Sequence, residues 1–455
     1  MAILIARTRL RAWGSALYRN SPTTTFINTS LTIYTALFKI KDISLAPEGE
    51  LLIEWAQDHM PVLGLIRKEF EKTKPLVGMR IGACLHATKE TAVLVRTLEA
   101  GGAKVILCGS NPLSTHDAVV AALASTGTEV FGWREQTNKE YYDCVKSVLR
   151  LKPNYTMDDG ADLVSTLHSD KEFNTNGVKA GSEETTTGVI RLRAMHKDGA
   201  LKYPIIAVND TPTKHMFDNR YGTGQSTIDG ILRATSILLA GKEFVVLGYG
   251  WCGKGIASRA RGMGAIVTIV EVNPIRALEA VMDGFAVTSI DVASTYGDIF
   301  VTATGNKNII DEIHLLTMKD GAILANSGHF NAEINIPALE KLSISKRTMR
   351  PSLVEYTLSG AHHHFKLYLL GEGRLINLVA AEGHPSEVMD MSFSDQALVA
   401  EFVQKSLWDK AGVYDVPLHI DEKVATLKLK SMGIEIDTLT KEQEEYANSW
   451  KAGTA

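Results

Sequence analysis

The chain has 455 residues, 45% hydrophobic and 22% charged, with 48 basic against 52 acidic side chains. That composition belongs to a globular protein long enough for two or three domains, and it excludes a mainly disordered chain or a small disulfide-stapled scaffold. A net charge of −4 offers no basic surplus for nucleic acid or a membrane surface, and no apolar run approaches the ~18 residues that span a bilayer.

Residues 1–41 stand apart. They hold six Lys/Arg, ten Ser/Thr and no acid. The composition is that of an organelle transit peptide, and equally that of a loosely ordered extension or of a start assigned too far upstream. The segment reads as an extension outside the fold, and the location as cytoplasmic. The four cysteines, at 84, 108, 144 and 252, form no CxxC pair. Neither a zinc site nor a disulfide framework is indicated, and free thiols fit a reducing compartment.

From Asp42 the pattern becomes regular. Residues 48–72 read as amphipathic helix broken by Pro61. Strands are predicted at 79–86, 104–108 and 129–133, with helices at 88–100, 118–125 and 140–149 between and after them. Residues 153–162 carry another strand ending in an acidic turn. This alternation with glycine punctuation argues a parallel sheet covered by helices. A helix over 226–239 connects to a second series: strand 244–247, helix 254–263, strand 266–270, helix 275–282, then strands at 299–303 and 322–325. The fold class is α/β, with two doubly wound parallel-sheet domains. The last segment, 421–455, reads as charged and helical without a core of its own, so it is expected to dock on something, such as another subunit.

Gly248-Tyr-Gly250-Trp-Cys-Gly253 follows an apolar strand and opens a helix, and the next strand ends in Glu271. Gly248 permits a tight turn, Gly250 lets backbone approach a pyrophosphate, and Gly253 lets helix and strand pack closely. The helix N-terminus offers unpaired N–H groups to phosphates. Glu271 suits ribose hydroxyls and repels a 2′-phosphate, which favours NAD over NADP; Arg276 weakens that preference slightly. The alternative is a glycine-rich connection that binds nothing.

Three polar clusters precede this motif: Asp158-Asp159-Gly160-Ala161-Asp162, Ser182-Glu183-Glu184-Thr185-Thr186-Thr187-Gly188, and Asn209-Asp210 with Lys214, His215, Asp218 and Asn219. Each alone also reads as a turn, a helix cap or a solvated face. Together they supply what an NAD enzyme needs to take a proton from an alcohol. His86 at a strand end is another acid or base, against the plainer reading of a packed histidine. His362-His363-His364 looks like a metal tract but has no carboxylate or cysteine partner at ligand spacing, so it reads as an exposed loop and no metal is expected.

These motifs, with Leu85-His-Ala-Thr88-Lys-Glu90-Thr, Phe217-Asp-Asn-Arg-Tyr-Gly222, Gly328-His329-Phe330, Arg374-Leu-Ile-Asn377-Leu and Gly383-His384-Pro385-Ser386, resemble the adenosylhomocysteinase (S-adenosyl-L-homocysteine hydrolase) family in order from about Asp42 to about Trp450. The resemblance implies a substrate domain of 42–223 completed by 385–420, an inserted NAD domain of 224–384, and a C-terminal segment, 421–455, packed on a neighbour in a homotetramer. It implies reversible hydrolysis of S-adenosylhomocysteine to adenosine and homocysteine by 3′-oxidation, C4′ deprotonation, elimination, water addition and re-reduction. By the same resemblance Lys214, Asp218 and Glu184 hold the ribose hydroxyls and assist 3′-OH deprotonation. Asp159 serves the C4′ proton. His86 and His329 serve C5′ and its water or thiol, and Asn219 lies between ribose and nicotinamide. Thr88, Glu90, His384 and Met389 surround the purine, and Thr185, Thr186, Thr187, Glu271 and Asn377 contact NAD beside the glycines. Closure over the fragile 3′-ketone implies hinges near Gly222–Gly224 and Gly383–Ser386.

Three departures from the family pattern stand out. Thr223 replaces a frequent Cys, Glu382 replaces a Met common beside the purine, and the C-terminal extension carrying a Lys and a Tyr to a neighbour's NAD is lacking, which implies weaker NAD retention. Three other readings compete: an S-inosylhomocysteine hydrolase of the same mechanism, a non-catalytic NAD-binding regulatory relative, and an ordinary dehydrogenase that releases NADH. The regulatory reading predicts losses among the catalytic positions, and none is found. The dehydrogenase reading leaves the polar clusters unexplained.

Overall fold

The computed structural model describes residues 38–360, 363–406 and 410–451. Most of the segment set aside from the fold, and His362 of the histidine tract, lie outside the described residues. Its last residues do not. Phe38–Lys39 forms a strand, β1, beside Val130 and Phe131, and Ile40 packs on the core. Two strand residues at a sheet edge carry no periodicity, so the sequence pattern began too late.

Seven strands alternate with helices in the first half: β1, β2 (Arg80–Leu85), β3 (Lys104–Gly109), β4 (Glu129–Phe131), β5 (Tyr155–Asp158), β6 (Ala180–Glu183) and β7 (Pro204–Ala207). A second sheet follows: β8 (Glu243–Leu247), β9 (Ile266–Val270), β10 (Ala286–Val287), β11 (Ile299–Thr302), β12 (Ala322–Asn326), β13 (Ser343–Arg350), β14 (Leu353–Ser359) and β15 (His364–Leu370). The chain then returns, and β16 (Gly412–Asp415) pairs with β7 at the far edge of the first sheet. The orders are β1-β4-β3-β2-β5-β6-β7-β16 and β10-β9-β8-β11-β12-β15-β14-β13. The first is wholly parallel. The second is parallel through β15 and ends in an antiparallel β13–β14–β15 ribbon, where no such edge was expected.

Side-chain alternation explains the layers. Ile81, Ala83 and Leu85 enter one core with Val105 and Leu107, while Cys84, Ile106 and Cys108 enter another on the opposite face. In the second sheet Phe244 and Val246 face one core, Val245 and Leu247 the other. Strands buried on both faces need apolar residues at every position, hence their continuous apolar runs. Of the histidine tract, exposed His364 opens β15 opposite Ser359.

The expected 226–239 helix spans Thr223–Thr235 instead, because Ser236 turns left-handed at φ 58 and stops it. The segment after 420 has more core than expected: the helix Leu418–Ser431 buries Ile420 and Val424 among the residues that cover the first sheet. Only the stretch beyond it, with the helix Lys441–Ala447, is exposed throughout.

Helices Thr223–Thr235 and Trp251–Gly262 cross at glycines. A Cβ on Gly255 would lie 1.7 Å from the Arg220 carbonyl oxygen, and one on Gly224 2.6 Å from the Gly255 carbonyl carbon. Gly255→Ala is therefore expected to destabilise the fold by about 1–3 kcal/mol as overpacking does. Gly262→Ala, with nothing within 4 Å of its added methyl, is the control and should leave the melting temperature unchanged or slightly raised.

Candidate active site

Parallel strands end on one side of each sheet, and open α/β sheets place ligands there. His86 follows β2, Asp159 follows β5, Glu184 follows β6 and Asn209 comes just after β7. From the second sheet Gly248 follows β8, Glu271 follows β9, and His329 lies beyond β12. A single cleft of about 680 Å³ is lined by all of these except Asn209. It also takes in Thr88, Glu90, Thr185, Thr186, Thr187, Lys214, Asp218, Asn219, Gly250, Asn377, His384 and Met389, so every residue assigned a catalytic, substrate or cofactor role from the sequence lines it except Gly253. Gly253 sits behind the turn, where a Cβ would lie 1.9 Å from the Gly248 carbonyl oxygen.

Lys214, Asp218 and Asn219 converge through a π-helical turn over His215–Gly222. Such wide turns are rare and concentrate at functional sites. The Lys214 ammonium donates to Asp218 Oδ2 at 2.7 Å and to Asn219 Oδ1 at 2.7 Å, and lies 3.7 Å from Glu184 Oε1. All four side chains are buried. Burial alone would lower the Lys214 pKa, but Asp218 and Glu184 outweigh it and hold the amine cationic. Burial pushes the Glu184 carboxyl up to about 7 against the pull of Lys214. Ser392 donates to Glu184 Oε1, and Gln396 Nε2 to its Oε2 at 2.6 Å. These two come from helix Ser386–Lys405, far along the chain; their i,i+4 spacing in an amphipathic stretch is too common a signal to have found them.

Asp159 lies between two imidazoles. His86 Nε2 is 3.6 Å from its Oδ2 and His329 Nδ1 3.8 Å from its Oδ1. Burial lowers the His86 pKa to about 4, with Asp159 resisting, and lowers that of His329 as well. Both rings are therefore neutral at pH 7 and can each give or take a proton. The ligand atoms of the three lie within 4.8 Å of one another, so a metal cation would compete with the proton for them. Gly160 is required beside them, since a Cβ there would clash with the His329 ring and the residue sits at φ +110. Arg191 grips this turn through Asp162 Oδ1 at 2.8 Å and packs its guanidinium over Phe330. Behind it, burial raises the Glu183 carboxyl pKa well above the usual range, helped by Asp158 and Asp159. Glu183 Oε1 accepts from the Gly160 and Thr185 N–H groups at 2.8 and 3.1 Å, joining the two acid-bearing loops.

The glycine turn and Glu271 meet at the ends of β8 and β9. Gly248 has φ +102, which a side chain would strain, and a Cβ on Gly250 would meet only the tip of Arg276, at 3.8 Å, so its backbone faces open cleft. Glu271 accepts from the N–H groups of Tyr249, Val272 and Asn273 at 2.7, 2.8 and 2.8 Å, which fixes its carboxylate at the end of β9. Asn377 Oδ1 is buried without a hydrogen-bond partner. One further expectation changes. Glu382 is exposed and paired with Arg233 Nη1 at 3.2 Å, and it does not line the cleft. Thr223 Oγ1 lies 3.3 Å from His384 Nε2.

Gly250→Ala is expected to keep the native melting temperature without cofactor, because its methyl meets open space, and to weaken NAD binding at least about 10-fold by blocking backbone approach. Calorimetry and fluorescence titration check both.

The model of the S-adenosyl-L-homocysteine hydrolase family matches residues 37–181, and that of its NAD-binding domain residues 219–383. Curated relatives align over nearly the whole chain. The adenosylhomocysteinase of Sulfolobus acidocaldarius is 58% identical over 92% of this chain and 100% of its own, and that of Aquifex aeolicus 59% identical over the same shares. The S-inosyl-L-homocysteine hydrolase of Methanocaldococcus jannaschii is 54% identical, again over 92% and 100%. With two family models and relatives of this identity over its full cleft-bearing length, the chain belongs to the S-adenosyl-L-homocysteine hydrolase family.

Proposed function

We propose that this chain catalyses the reversible hydrolysis of S-adenosyl-L-homocysteine to adenosine and L-homocysteine, using NAD as a cofactor that is regenerated in each cycle. The observation that carries this reading is one cleft holding two separate proton-handling groups beside a dinucleotide turn: Lys214 with its carboxylates, and Asp159 with its two imidazoles. A simple dehydrogenase that releases NADH needs only one.

NAD supplies the acceptor for the C3′ hydride and returns it at the end. The residues supply the rest. As an ammonium between two carboxylates, Lys214 stabilises charge developing on O3′, and Glu184, poised near neutrality, accepts that proton. Oxidation to the ketone acidifies C4′–H, and Asp159 takes that proton. A neutral ring, His86 or His329, relays that proton from Asp159 to the departing thiolate, then takes a proton from the water that adds at C5′ and returns it through Asp159 to C4′. Asn219, donated to by Lys214, is set between ribose and nicotinamide. Thr185, Thr186, Thr187, Glu271, Asn377 and the glycine turn hold the dinucleotide. Thr88, Glu90, His384 and Met389 surround the purine. Glu90 is a buried acceptor, held by Ser386 Oγ at 2.7 Å and Lys89 Nζ at 3.2 Å. An acceptor suits the exocyclic amino group of adenine better than the carbonyl of hypoxanthine. The relative that acts on the inosyl compound supports that compound as the second reading.

In this reading the substrate is held by 42–223 with 385–420 and the cofactor by 224–384. The exposed apolar tail residues Ile434, Ile436, Leu439 and Trp450 support subunit contacts by 421–455 in a homotetramer. Among the described residues no helix is long and apolar enough to cross a membrane, and four free cysteines support a reducing, cytoplasmic setting.

Purified protein with added NAD should release homocysteine from S-adenosylhomocysteine without accumulating NADH, and should prefer the adenosyl to the inosyl thioether by at least about 10-fold. Steady growth of the NADH band would support a dehydrogenase instead. Because protonated Glu184 cannot accept a proton, the rate of adenosine oxidation should rise with pH through about 7 and lose that limb in Glu184→Gln.

A further inference from the structure

Asp218 has two oxygens with different partners. Oδ2 meets the Lys214 ammonium at 2.7 Å, and Oδ1 accepts from His384 Nδ1. Burial would raise the Asp218 pKa, but Lys214 and His384 outweigh it and keep it a carboxylate. The proton between Asp218 and His384 is therefore on Nδ1. With the proton there, Nε2 is free to accept from Asn377 Nδ2 at 3.1 Å, and Thr223 Oγ1 lies 3.3 Å away.

The imidazole is clamped by more than its hydrogen bonds. A Cβ on Gly222 would lie 3.0 Å from His384 Cγ and Nδ1, so a glycine there is what lets the ring lie against the π-helical turn. Gly383, at φ +84, donates its N–H to the Asn377 carbonyl at 2.9 Å and sets the turn that delivers the ring. His384 lies where the chain returns from the second sheet to the first, and Asp218 lies where it leaves the first for the second. One hydrogen bond thus joins both crossings to the amine.

We infer that His384 is a positioning residue for Lys214: by holding Asp218 Oδ1 it aims Oδ2 at the ammonium, so the amine takes its working position only when both chain crossings are in register. The inference rests on the hydrolase reading above and leaves His384 beside the purine as a packed ring that makes no hydrogen bond to it, since each ring nitrogen is already engaged by protein. It also gives Thr223 a task, as a hydroxyl beside Nε2.

Two measurements test it. In kinetics, His384→Ala should lower kcat for homocysteine release, and the rate of NADH formation on adding adenosine, by about 10²-fold with adenosine affinity changed less than about 3-fold, as misplacement of a reacting group does. His384→Asn, whose amide nitrogen stands near Nδ1 and can donate to Asp218, should recover most of that loss, whereas His384→Gln should not. Loss of adenosine affinity with unchanged kcat in both His384→Ala and His384→Asn would overturn the inference and leave only a purine contact. In histidine-labelled protein without cofactor, ¹⁵N resonances should show the His384 ring protonated at Nδ1 and accepting at Nε2, with the peaks identified by their loss in His384→Asn. An unprotonated Nδ1 would overturn the inference even if the alanine variant failed to fold. Failure of the wild type to release homocysteine would instead remove the hydrolase reading, and the ring measurement would stand apart from it.

Discussion

A buried lysine ammonium is the constraint on which the site depends. Lys214 is buried, and an unpaired buried cation would give up its proton. Two carboxylates prevent that, and each needs its own support. Asp218 has His384, and Glu184 has Ser392 and Gln396. Those supports come from the chain's return, some 170 to 210 residues after the acids they hold. The charge of one side chain thereby ties the late helix Ser386–Lys405 to strand ends formed in the first half.

The same logic explains why the second sheet is inserted between β7 and β16. A chain that leaves through the π-helical turn and returns past His384 brings the glycine turn and Glu271 against the acid cluster. The close glycine crossing of Thr223–Thr235 with Trp251–Gly262 fixes that approach from behind. In the proposed mechanism proton handling then divides by location. The amine and its carboxylates stand near the ends of β6 and β7, and the aspartate with its two rings spans β2, β5 and the loop after β12.

Much of this was legible in the residues, because parallel strands buried on both faces write continuous apolar runs and catalytic side chains sit just past their ends. His86, the acidic turn at 158–162 and the glycine turn are legible that way, and the family resemblance supplies the roles and the rest of the cleft, Glu184 included. What was missed has physical reasons. β6 reads Ala-Gly-Ser-Glu, too polar and too small to look like a strand, since its neighbours do the burying. β13 is exposed along nearly its whole length and pairs only at one edge, so it carries no core pattern. Nothing in the sequence separates Glu183 from Glu184, because adjacent residues at one strand end point to opposite faces: Glu183 lies under the loop and Glu184 in the cleft. His384 was assigned to the purine because its motif names a place and not a hydrogen-bond partner.

The central claim is that the two proton-handling groups do different jobs in one cleft. Exchange of the adenosine C4′ hydrogen with deuterated water, measured together with formation of bound NADH, separates those jobs. Asp159→Asn should still form NADH on adding adenosine but lose C4′ exchange, whereas Lys214→Met should lose both, since the ketone that acidifies C4′ never forms. An Asp159→Asn protein that fails to form NADH, or a Lys214→Met protein that still exchanges C4′, would contradict the division.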